Sequence, residues 1–386
     1  MAKPRRLLLL VVACLSLFPM SVPALISRAA LRKSRFHSNA LLLTRRSSSS
    51  RTRTSTSSTS STNYSSKRAQ EEEEEEVQQS QQSSQRRLEY VHGYHAGNYA
   101  DVVKHSVLIL LLEHMTKKKS PFCYVDTHAG AGSYPLDSRE SSQLNEFQQG
   151  IGRLLLMQHD NDDEPFDDPV RTLVQMTKSN NNSSSSAAVY PGSPMIAKTL
   201  CRSQDTLLLF EKARDQFDLL RNNMNDDNDA SSSSSDIRND NGYKGLADYA
   251  EYTTNLPRAL VFCDPPYQYG SDTDQIVPLV HHLQYHWKSA RVALWYPASA
   301  DLQEKSNRLL ALLKTKKAEA DDGGDKNEML AFEMYSRNAG VGTGMVLVNP
   351  PYGIETELRR VLPQIAKLLV GGEDEEQPTT MRMKWL

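Results

Sequence analysis

The sequence predicts an α/β fold: a doubly wound, mostly parallel β-sheet with an inserted helical subdomain. Three short apolar runs, at residues 124–126, 206–210 and 259–263, have the length and composition of buried parallel strands. Each run is followed by a glycine-rich, acidic or proline-rich turn. Because parallel strands end at a common edge of their sheet, these turns are expected to meet at a ligand site.

The first strand leads into a glycine-rich turn, Thr-His-Ala-Gly-Ala-Gly at 127–132. Small residues let the backbone approach a nucleotide-like ligand, and a helix opening there points its N-terminus at that ligand. Together with Asp126 the turn reads D-x-x-x-G-x-G, a form typical of S-adenosylmethionine (SAM) sites and different from the dinucleotide signature G-x-G-x-x-G. Taken alone, a tight strand-to-helix turn without a ligand explains it equally well.

The second strand ends in an acidic residue, Glu211. In doubly wound folds an acid at this place accepts hydrogen bonds from ribose hydroxyls. A solvated glutamate at a strand end is the commoner case for an isolated example. Glu211 is a candidate ribose contact because it follows the glycine turn in the chain, in the order expected of such a site.

The third strand is followed by Asp264-Pro265-Pro266-Tyr267, the most informative motif of the chain. The Asp264 carboxylate and a carbonyl of the proline pair can each accept one hydrogen of an exocyclic amine such as adenine N6, while Tyr267 stacks on the base. The alternative is a proline-stiffened turn with Asp264 as a turn residue. The order of glycine turn, acid and DPPY is that of a SAM-dependent amino-methyltransferase.

A second motif of similar form, Asn-Pro-Pro-Tyr at 349–352, competes with DPPY. NPPY also occurs as the catalytic turn of amino-methyltransferases. Here it follows the last apolar run, 345–348, whereas the catalytic turn belongs after the fourth strand of the sheet. We therefore predict that NPPY is a structural strand end.

From about Leu88 to about Leu369 the chain resembles the ribosomal RNA large subunit methyltransferase J family, which methylates N6 of an adenine in bacterial 23S rRNA with SAM. The most specific matching blocks are HAGNYADVVKH at 95–105 and DTHAGAG at 126–132, and DPPY matches as well. A further block is PGSP at 191–194. The resemblance implies a Rossmann-like SAM-dependent methyltransferase fold.

The same resemblance implies roles for matching residues. Catalytic roles are implied for Asp264, Pro266, Tyr267 and Lys104. Contacts to SAM are implied for His105, His128, Gly130, Ser193, Glu211, Asn241, Gly242 and Asp264. Lys104 and His105 would line the methionine end of SAM, and Glu211 would hold the ribose. Tyr90 and His92 match a segment that approaches the substrate base.

One position departs from the family pattern. Where the family has an Asp-Gly pair that meets the adenine ring of SAM, this chain reads Asp240-Asn241-Gly242, with Asn241 opposite the aspartate. The Asn241 amide can still receive a hydrogen bond from the adenine amine. Alternatively, Asp240 could take the role through a one-residue shift.

Transfer to an adenine amine requires activation of a poor nucleophile, because the nitrogen lone pair is delocalised into the ring. Asp264 and a proline carbonyl would draw the nitrogen toward tetrahedral geometry, while the sulfonium supplies a good leaving group. This chemistry needs no metal. The four cysteines form no C-x-x-C pair, and the histidines of the matching blocks lack H-x-x-x-H spacing, so we predict no zinc site.

The N-terminal part of the chain has a different composition. Residues 1–70 lack Asp and Glu, are rich in Ser and Arg, and carry an apolar run at 7–18 that is too short for a good membrane span. We expect a disordered targeting presequence for a plastid or mitochondrion, followed by a disordered Glu/Gln-rich linker at 71–87. The methyltransferase domain is expected at 88–386, with a helical insert at about 136–189 that includes helices at 143–158 and 170–178. Low-complexity, solvent-exposed loops are expected at 161–168, 179–186 and about 225–235.

The net charge of −2 hides a basic presequence and an acidic remainder, so composition shows no overall signature of RNA binding. A local basic patch could still form from residues that include Lys117, Lys118, Lys119 and Arg153. We expect large-subunit rRNA as the partner, no stable membrane association of the mature protein, and a monomer. The alternatives are an adenine-N6 methyltransferase of DNA or another RNA, and a non-catalytic rRNA-binding assembly factor that retains the fold.

Overall fold

The computed structural model describes residues 91–160, 168–179, 188–225, 233–267, 272–299, 302–319, 328–336, 341–370 and 380–386. The expected presequence and linker, Tyr90, and most of the predicted low-complexity loops lie outside these ranges. The strands are β1 (Phe122–Asp126), β2 (Ser133–Pro135), β3 (Val189–Pro191), β4 (Thr206–Phe210), β5 (Ser234–Arg238), β6 (Arg258–Cys263), β7 (Ala290–Pro297), β8 (Met329–Ser336), β9 (Val341–Val348) and β10 (Thr380–Trp385).

Helices alternate with these strands along most of the chain. In chain order they are α1 (Tyr99–Thr116), α2 (Arg139–Leu144), α3 (Ile151–Asp160), α4 (Asp168–Ser179), α5 (Ser193–Leu200), α6 (Arg214–Met224), α7 (Gly242–Tyr252), α8 (Asp272–His286), α9 (Gln303–Glu319) and α10 (Ile354–Val370). No described helix combines the length and the apolar character needed to cross a membrane.

The central sheet has the order β10-β8-β9-β7-β6-β1-β4-β5. The five strands from β5 to β7 in this order are mutually parallel, whereas β9 runs antiparallel to β7 and β8, and β10 runs antiparallel to β8. From β1 the chain adds β4 and β5 on one side and later β6 and β7 on the other. The predicted doubly wound, mostly parallel fold is confirmed, with its topological switch point between β1 and β6.

Both faces of the sheet are covered by apolar side chains, which explains why the strands read as continuous apolar runs. Tyr124 of β1 packs in a core cluster with α1 and α10. Its neighbours Cys123 and Val125 pack on the opposite face with α7 and α8. The sheet is therefore a rigid layer that fixes the position of its carboxyl edge.

Helix α1 is buried along most of its length because it packs against the sheet and against α4, α5 and α10. Asn98 caps its N-terminus by accepting a 3.0 Å hydrogen bond from the Asp101 amide. Such a helix is expected to be apolar on all sides, yet it carries the polar residues Asp101, Lys104 and His105 in its buried part. These side chains need partners inside the protein.

The helical insert is more broken than the sequence predicted. Residues 143–158 were expected to form one helix, but they include the end of α2, a short 3₁₀ turn at Glu146–Gln149 and most of α3. Asn145 adopts a left-handed conformation with φ of 53°. A Cβ at Gly150 would collide with the backbone of Gly97 and Asn98, so the chain must turn there to pack on the start of α1.

The predicted loop at 225–235 also needs correction, because Ser234 and Ser235 already belong to β5. They pair in parallel with Thr206 and Leu207 of β4. This edge strand is held by backbone hydrogen bonds on one side and exposes its first residues. It therefore lacks the apolar composition from which a strand is predicted.

The NPPY motif follows β9, which runs antiparallel to the parallel strands. Its end therefore lies at the amino edge of the sheet, where the Asn349 side-chain amide donates a 3.1 Å hydrogen bond to the Ala290 carbonyl at the start of β7. Tyr352 is fully exposed. NPPY lies at the opposite edge from DPPY, as expected of a structural strand end.

Candidate active site

The carboxyl ends of β1, β4 and β6 surround a cavity of about 630 Å³. The cavity lies at the topological switch point, where doubly wound sheets bind their ligands, and its size suits a small molecule. The sequence-predicted site residues that the structure describes all line it, with the exception of Tyr267. Tyr90 lies outside the described residues.

Four polar side chains form a continuous chain of contacts along one wall of this cavity. The Lys104 ammonium lies 2.5 Å from Oδ2 of Asp264 and 2.7 Å from Oδ1 of Asp101. The other oxygen of Asp101 contacts Nε2 of His92 at 3.1 Å and accepts a 2.8 Å hydrogen bond from the Gly97 amide. Helix α1 thereby holds the carboxylate that follows β6.

Burial and charge oppose each other in this group. Burial lowers the pKa of Lys104, but the carboxylates of Asp101 and Asp264 outweigh it and raise that pKa above its ordinary value. Burial likewise raises the pKa of Asp101, and the nearby Lys104 and His92 outweigh it and hold the pKa well below its usual range. The buried lysine and aspartate are therefore both charged at neutral pH.

Asp101 has a role that was not predicted from the sequence. Its spacing of three residues from Lys104 places both side chains on one face of α1, which is a signal for an ion pair on a helix. That signal is common on exposed helices. Only the burial of both groups shows that Asp101 positions a lysine of the cavity.

Asp264 directly follows β6, and 14% of its side chain is exposed, toward the cavity that it lines. Lys104 contacts Oδ2, and Oδ1 has no hydrogen-bond partner among the described residues. Pro265 and Pro266 line the same wall. The turn thus holds one carboxylate oxygen ready to accept a hydrogen bond from a ligand.

Tyr267 lies behind this wall. It adopts a left-handed conformation with φ of 52°, and its hydroxyl donates a 2.9 Å hydrogen bond to the Trp295 carbonyl. The two rings meet edge to face, with centroids 5.8 Å apart. Trp295 itself lines the cavity, and the Lys104 ammonium lies 5.1 Å from the centroid of its ring. Stacking of Tyr267 on a base stays a prediction.

Glu211 anchors the glycine turn. Its carboxylate accepts hydrogen bonds from the amides of Gly130 at 2.8 Å and Ala213 at 2.7 Å. Gly130 has a φ of 61°, and a Cβ there would collide with the Tyr134 hydroxyl. The position therefore requires glycine. A carboxylate offers about four acceptor sites, so Glu211 can hold the turn and still accept hydrogen bonds from a ribose.

The two predicted cofactor-contacting histidines are neutral at physiological pH. Burial lowers the pKa of His105 to about 3 and that of His128 to about 4. His105 is 2.7 Å from the Tyr190 hydroxyl through Nδ1, and His128 packs edge to face on Tyr243. Neither imidazole adds positive charge to the cavity, which favours a cationic ligand.

Asp126, at the end of β1, is fully buried and supports the glycine turn. It accepts hydrogen bonds from the Tyr124 hydroxyl at 2.8 Å and from the His128 amide at 3.2 Å. Burial raises its pKa to about 6, although hydrogen bonds from Ser193 and Tyr124 act in the opposite direction. The carboxyl group therefore loses its proton near pH 6 instead of near pH 4.

This titration predicts a pH-dependent effect of Asp126→Asn on stability. An unfolded aspartate loses its proton near pH 4, so between about pH 4 and pH 6 the folded protein binds more protons than the unfolded chain. The stability contributed by Asp126 is present below this window and is lost as pH rises through it. The amide cannot titrate. The free energy of unfolding of the variant minus that of the wild type should therefore rise by about 2–3 kcal/mol from pH 4 to pH 7.

Denaturant unfolding of both proteins at pH 4, 5, 6 and 7 measures this difference. Comparing the two proteins removes the contributions of the other titrating groups, which they share. A difference that stays constant across this range would show that Asp126 titrates normally.

Asn241 lies at the cavity as the N-cap of α7. Its side-chain oxygen accepts hydrogen bonds from the amides of Tyr243 at 2.9 Å and Lys244 at 3.2 Å. The oxygen expected to receive a ligand amine is therefore already engaged. Asp240, the alternative, accepts a 2.7 Å hydrogen bond from the Asn241 amide and is not among the residues that line the cavity.

Comparison with known proteins gives consistent matches. The family model described as RsmJ, "Ribosomal RNA large subunit methyltransferase D, RlmJ", matches residues 119–386. "Ribosomal RNA large subunit methyltransferase J" of Haemophilus influenzae is 36% identical over 290 residues, which are 73% of this chain and 94% of that protein. The protein of the same name from Escherichia coli is 32% identical over 283 residues, with the same coverage.

A solved structure supports the fold. Protein LPL1258 of Legionella pneumophila superposes with a TM-score of 0.61 at 24% sequence identity. The match covers 75% of this chain and 97% of that protein. At this level of identity the likeness concerns the architecture alone.

Proposed function

Because this chain belongs to the RlmJ family of ribosomal RNA large subunit methyltransferases, we propose that it methylates N6 of an adenine in large-subunit rRNA, with SAM as the methyl donor. The observation that carries the proposal is the Asp264 carboxylate at the end of β6, held by Lys104 and presented to the cavity beside Pro266. This arrangement fits an amine with two hydrogens as the group that receives the methyl, because such an amine can donate one hydrogen bond to Asp264 and one to a proline carbonyl.

The cavity fits SAM. His105 and His128 are neutral and do not repel the positively charged sulfonium of SAM. Glu211 offers carboxylate oxygens to the ribose beside the glycine turn. Asp264 lies where the methyl group would be transferred. When bound, SAM supplies an electrophilic methyl group on a sulfonium leaving group. The remaining task of the protein is to hold the amine in line with that methyl.

Asp264 performs this task as a preoriented acceptor. Oδ1 accepts one amine hydrogen and a carbonyl of the proline pair accepts the other, which directs the nitrogen lone pair toward the methyl. Lys104 fixes Oδ2, and Asp101 fixes Lys104, so the carboxylate is already in place before the base arrives. Hydrogen bonds to Asp264 strengthen as positive charge develops on the nitrogen, which stabilises the transition state. The methylated nitrogen then releases one proton, to Asp264 or to water, and becomes neutral.

The position of Asp264 also restricts the form of the RNA. Only 14% of its side chain is exposed, inside the cavity. An adenine that is stacked and paired in a helix cannot bring N6 to this depth. The target base must be single-stranded, looped or flipped out of its stack.

Methyl transfer from labelled SAM by the full chain tests the proposal. With unmodified bacterial-type large-subunit rRNA as substrate, we expect the label in N6-methyladenosine after digestion to nucleosides. Duplex and single-stranded DNA serve as matched substrates and should remain unlabelled. Label in another nucleoside would refute the N6 assignment, and preferential labelling of DNA would refute the rRNA substrate.

A further inference from the structure

The orientation of the Asn241 side-chain amide is determined by its role as helix cap. One atom of the amide accepts hydrogen bonds from two backbone N–H groups, those of Tyr243 and Lys244. Only the oxygen can accept, so the oxygen and nitrogen cannot be interchanged here. The –NH₂ group occupies the other branch of the amide, and it has no hydrogen-bond partner among the described residues. Asn241 therefore offers a donor at the cavity.

The strand order shows which part of a ligand this donor meets. Along the carboxyl edge the cavity-lining residues come in the order Asp264 after β6, Gly130 after β1, Glu211 after β4 and Asn241 after β5. A ligand with its reacting end at Asp264 and its ribose at Glu211 continues one strand further with its base. Asn241 therefore lies at the base end of the site.

Close packing holds the start of α7 at this place. Gly242 lies so near the backbone of Thr127 that an added Cβ would overlap its carbonyl. Tyr243, the next residue, contacts the ring of His128 and donates a 2.9 Å hydrogen bond from its hydroxyl to Asp272. The amide of Asn241 is thus positioned by a rigid helix N-terminus that packs on the glycine turn.

We propose that Asn241 recognises the adenine of SAM by donating a hydrogen bond from Nδ2 to a ring nitrogen, and that it does not read the N6 amine. This inference rests on SAM as the methyl donor of the proposed function. An aspartate at the same position would cap α7 with one oxygen and present the other as an acceptor for the amine. Residue 241 therefore decides which feature of the purine contributes to binding.

Calorimetric titration of the full chain with two product analogues tests this role without any measurement of activity. The first is S-adenosylhomocysteine, and the second is its analogue with unsubstituted purine, which keeps the ring nitrogens and lacks the amine. The ratio of the two Kd values reports the contribution of the amine. In the Asn241→Asp variant this ratio should be at least about tenfold larger than in the wild type, the size of a hydrogen bond to a charged group.

Two matched variants control for other causes. Asn241→Ser keeps a capping side chain and removes the amide, so it should weaken both ligands by the same few-fold factor and leave the ratio unchanged. Asp240→Asn alters the neighbouring carboxylate and should leave both Kd values unchanged. Because Asn, Asp and Ser are all good N-caps, thermal unfolding of the variants should stay close to that of the wild type.

Three other outcomes would contradict the inference, each in a recognisable way. If the ratio of the two Kd values were the same in the wild type and in Asn241→Asp, residue 241 would not contact the amine position of the base. A changed ratio in Asp240→Asn would identify Asp240 as the reader. Failure of the wild type to bind S-adenosylhomocysteine would overturn the inference together with the assignment of SAM. The expected pattern in a protein that leaves rRNA unlabelled would support Asn241 and refute only the rRNA function.

Discussion

Asp264→Asn should reduce methyl transfer to rRNA by about 10²–10³-fold, the cost of losing one preoriented group that stabilises developing charge. The amide has the shape of the carboxylate but lacks its negative charge, and the Lys104 ammonium next to it favours an orientation that turns –NH₂ toward the cavity. That –NH₂ would oppose the substrate amine. Initial rates with labelled SAM measure the loss, and the Kd for SAM should change only a few-fold.

The second Pro-Pro-Tyr turn provides a matched control. Tyr352 of NPPY is fully exposed at the amino edge of the sheet, away from the cavity. Tyr352→Ala should leave the rate and the Kd for SAM unchanged. Wild-type activity of Asp264→Asn would refute the mechanism, and a large loss in Tyr352→Ala would show that the wrong turn has been assigned.

Lys104→Met should lower the free energy of unfolding by about 3–5 kcal/mol, because removing one partner of a buried ion pair leaves an uncompensated charge. Asp101 is 1% exposed, and its negative charge is balanced by the lysine 2.7 Å away. Methionine fills a similar volume, so a cavity contributes little to the loss. Denaturant unfolding at pH 7 measures the change.

Two further variants separate this effect from a general sensitivity of the fold. In Asp101→Asn/Lys104→Met the buried negative charge is gone, so the double variant should recover part of the lost stability even though methyl transfer stays impaired. The exposed helical pair Arg214–Asp218 provides the control. Arg214→Met should cost less than about 1 kcal/mol. If Lys104→Met costs no more than Arg214→Met, Lys104 is not the cation that stabilises Asp101.

The sequence by itself determined the central strands of the sheet and the edge at which the candidate site lies. The apolar runs of β1, β4 and β6 are buried on both faces, so they are visible as unbroken apolar segments. Their turns converge because parallel strands end at one edge. For this reason Glu211 and Asp264 were predicted to lie at one cavity, whereas NPPY was predicted to be structural because it follows the last apolar run of the chain.

Local sequence patterns did not predict the secondary structure correctly where packing against residues distant in the chain determines the backbone conformation. The insert breaks near Gly150 because the chain must approach Gly97, and no periodicity within 143–158 records that contact. Strand β5 begins at Ser234 because the β4 edge supplies its hydrogen bonds. In both cases the partner segment is remote in sequence, so the local pattern does not contain the information.

Only the tertiary structure decided the chemistry of individual atoms at the site. Lys104 and Asp264 are far apart in the chain, and their contact exists because α1 packs against β6. Asp101 and Lys104 form a common type of helical ion pair, but because both are buried here, the pair holds the Asp264 carboxylate in position. In the same way, the backbone of α7 engages the Asn241 oxygen and turns an expected acceptor into a donor. Sequence specifies which groups are available, whereas packing determines which atom of each group faces the ligand.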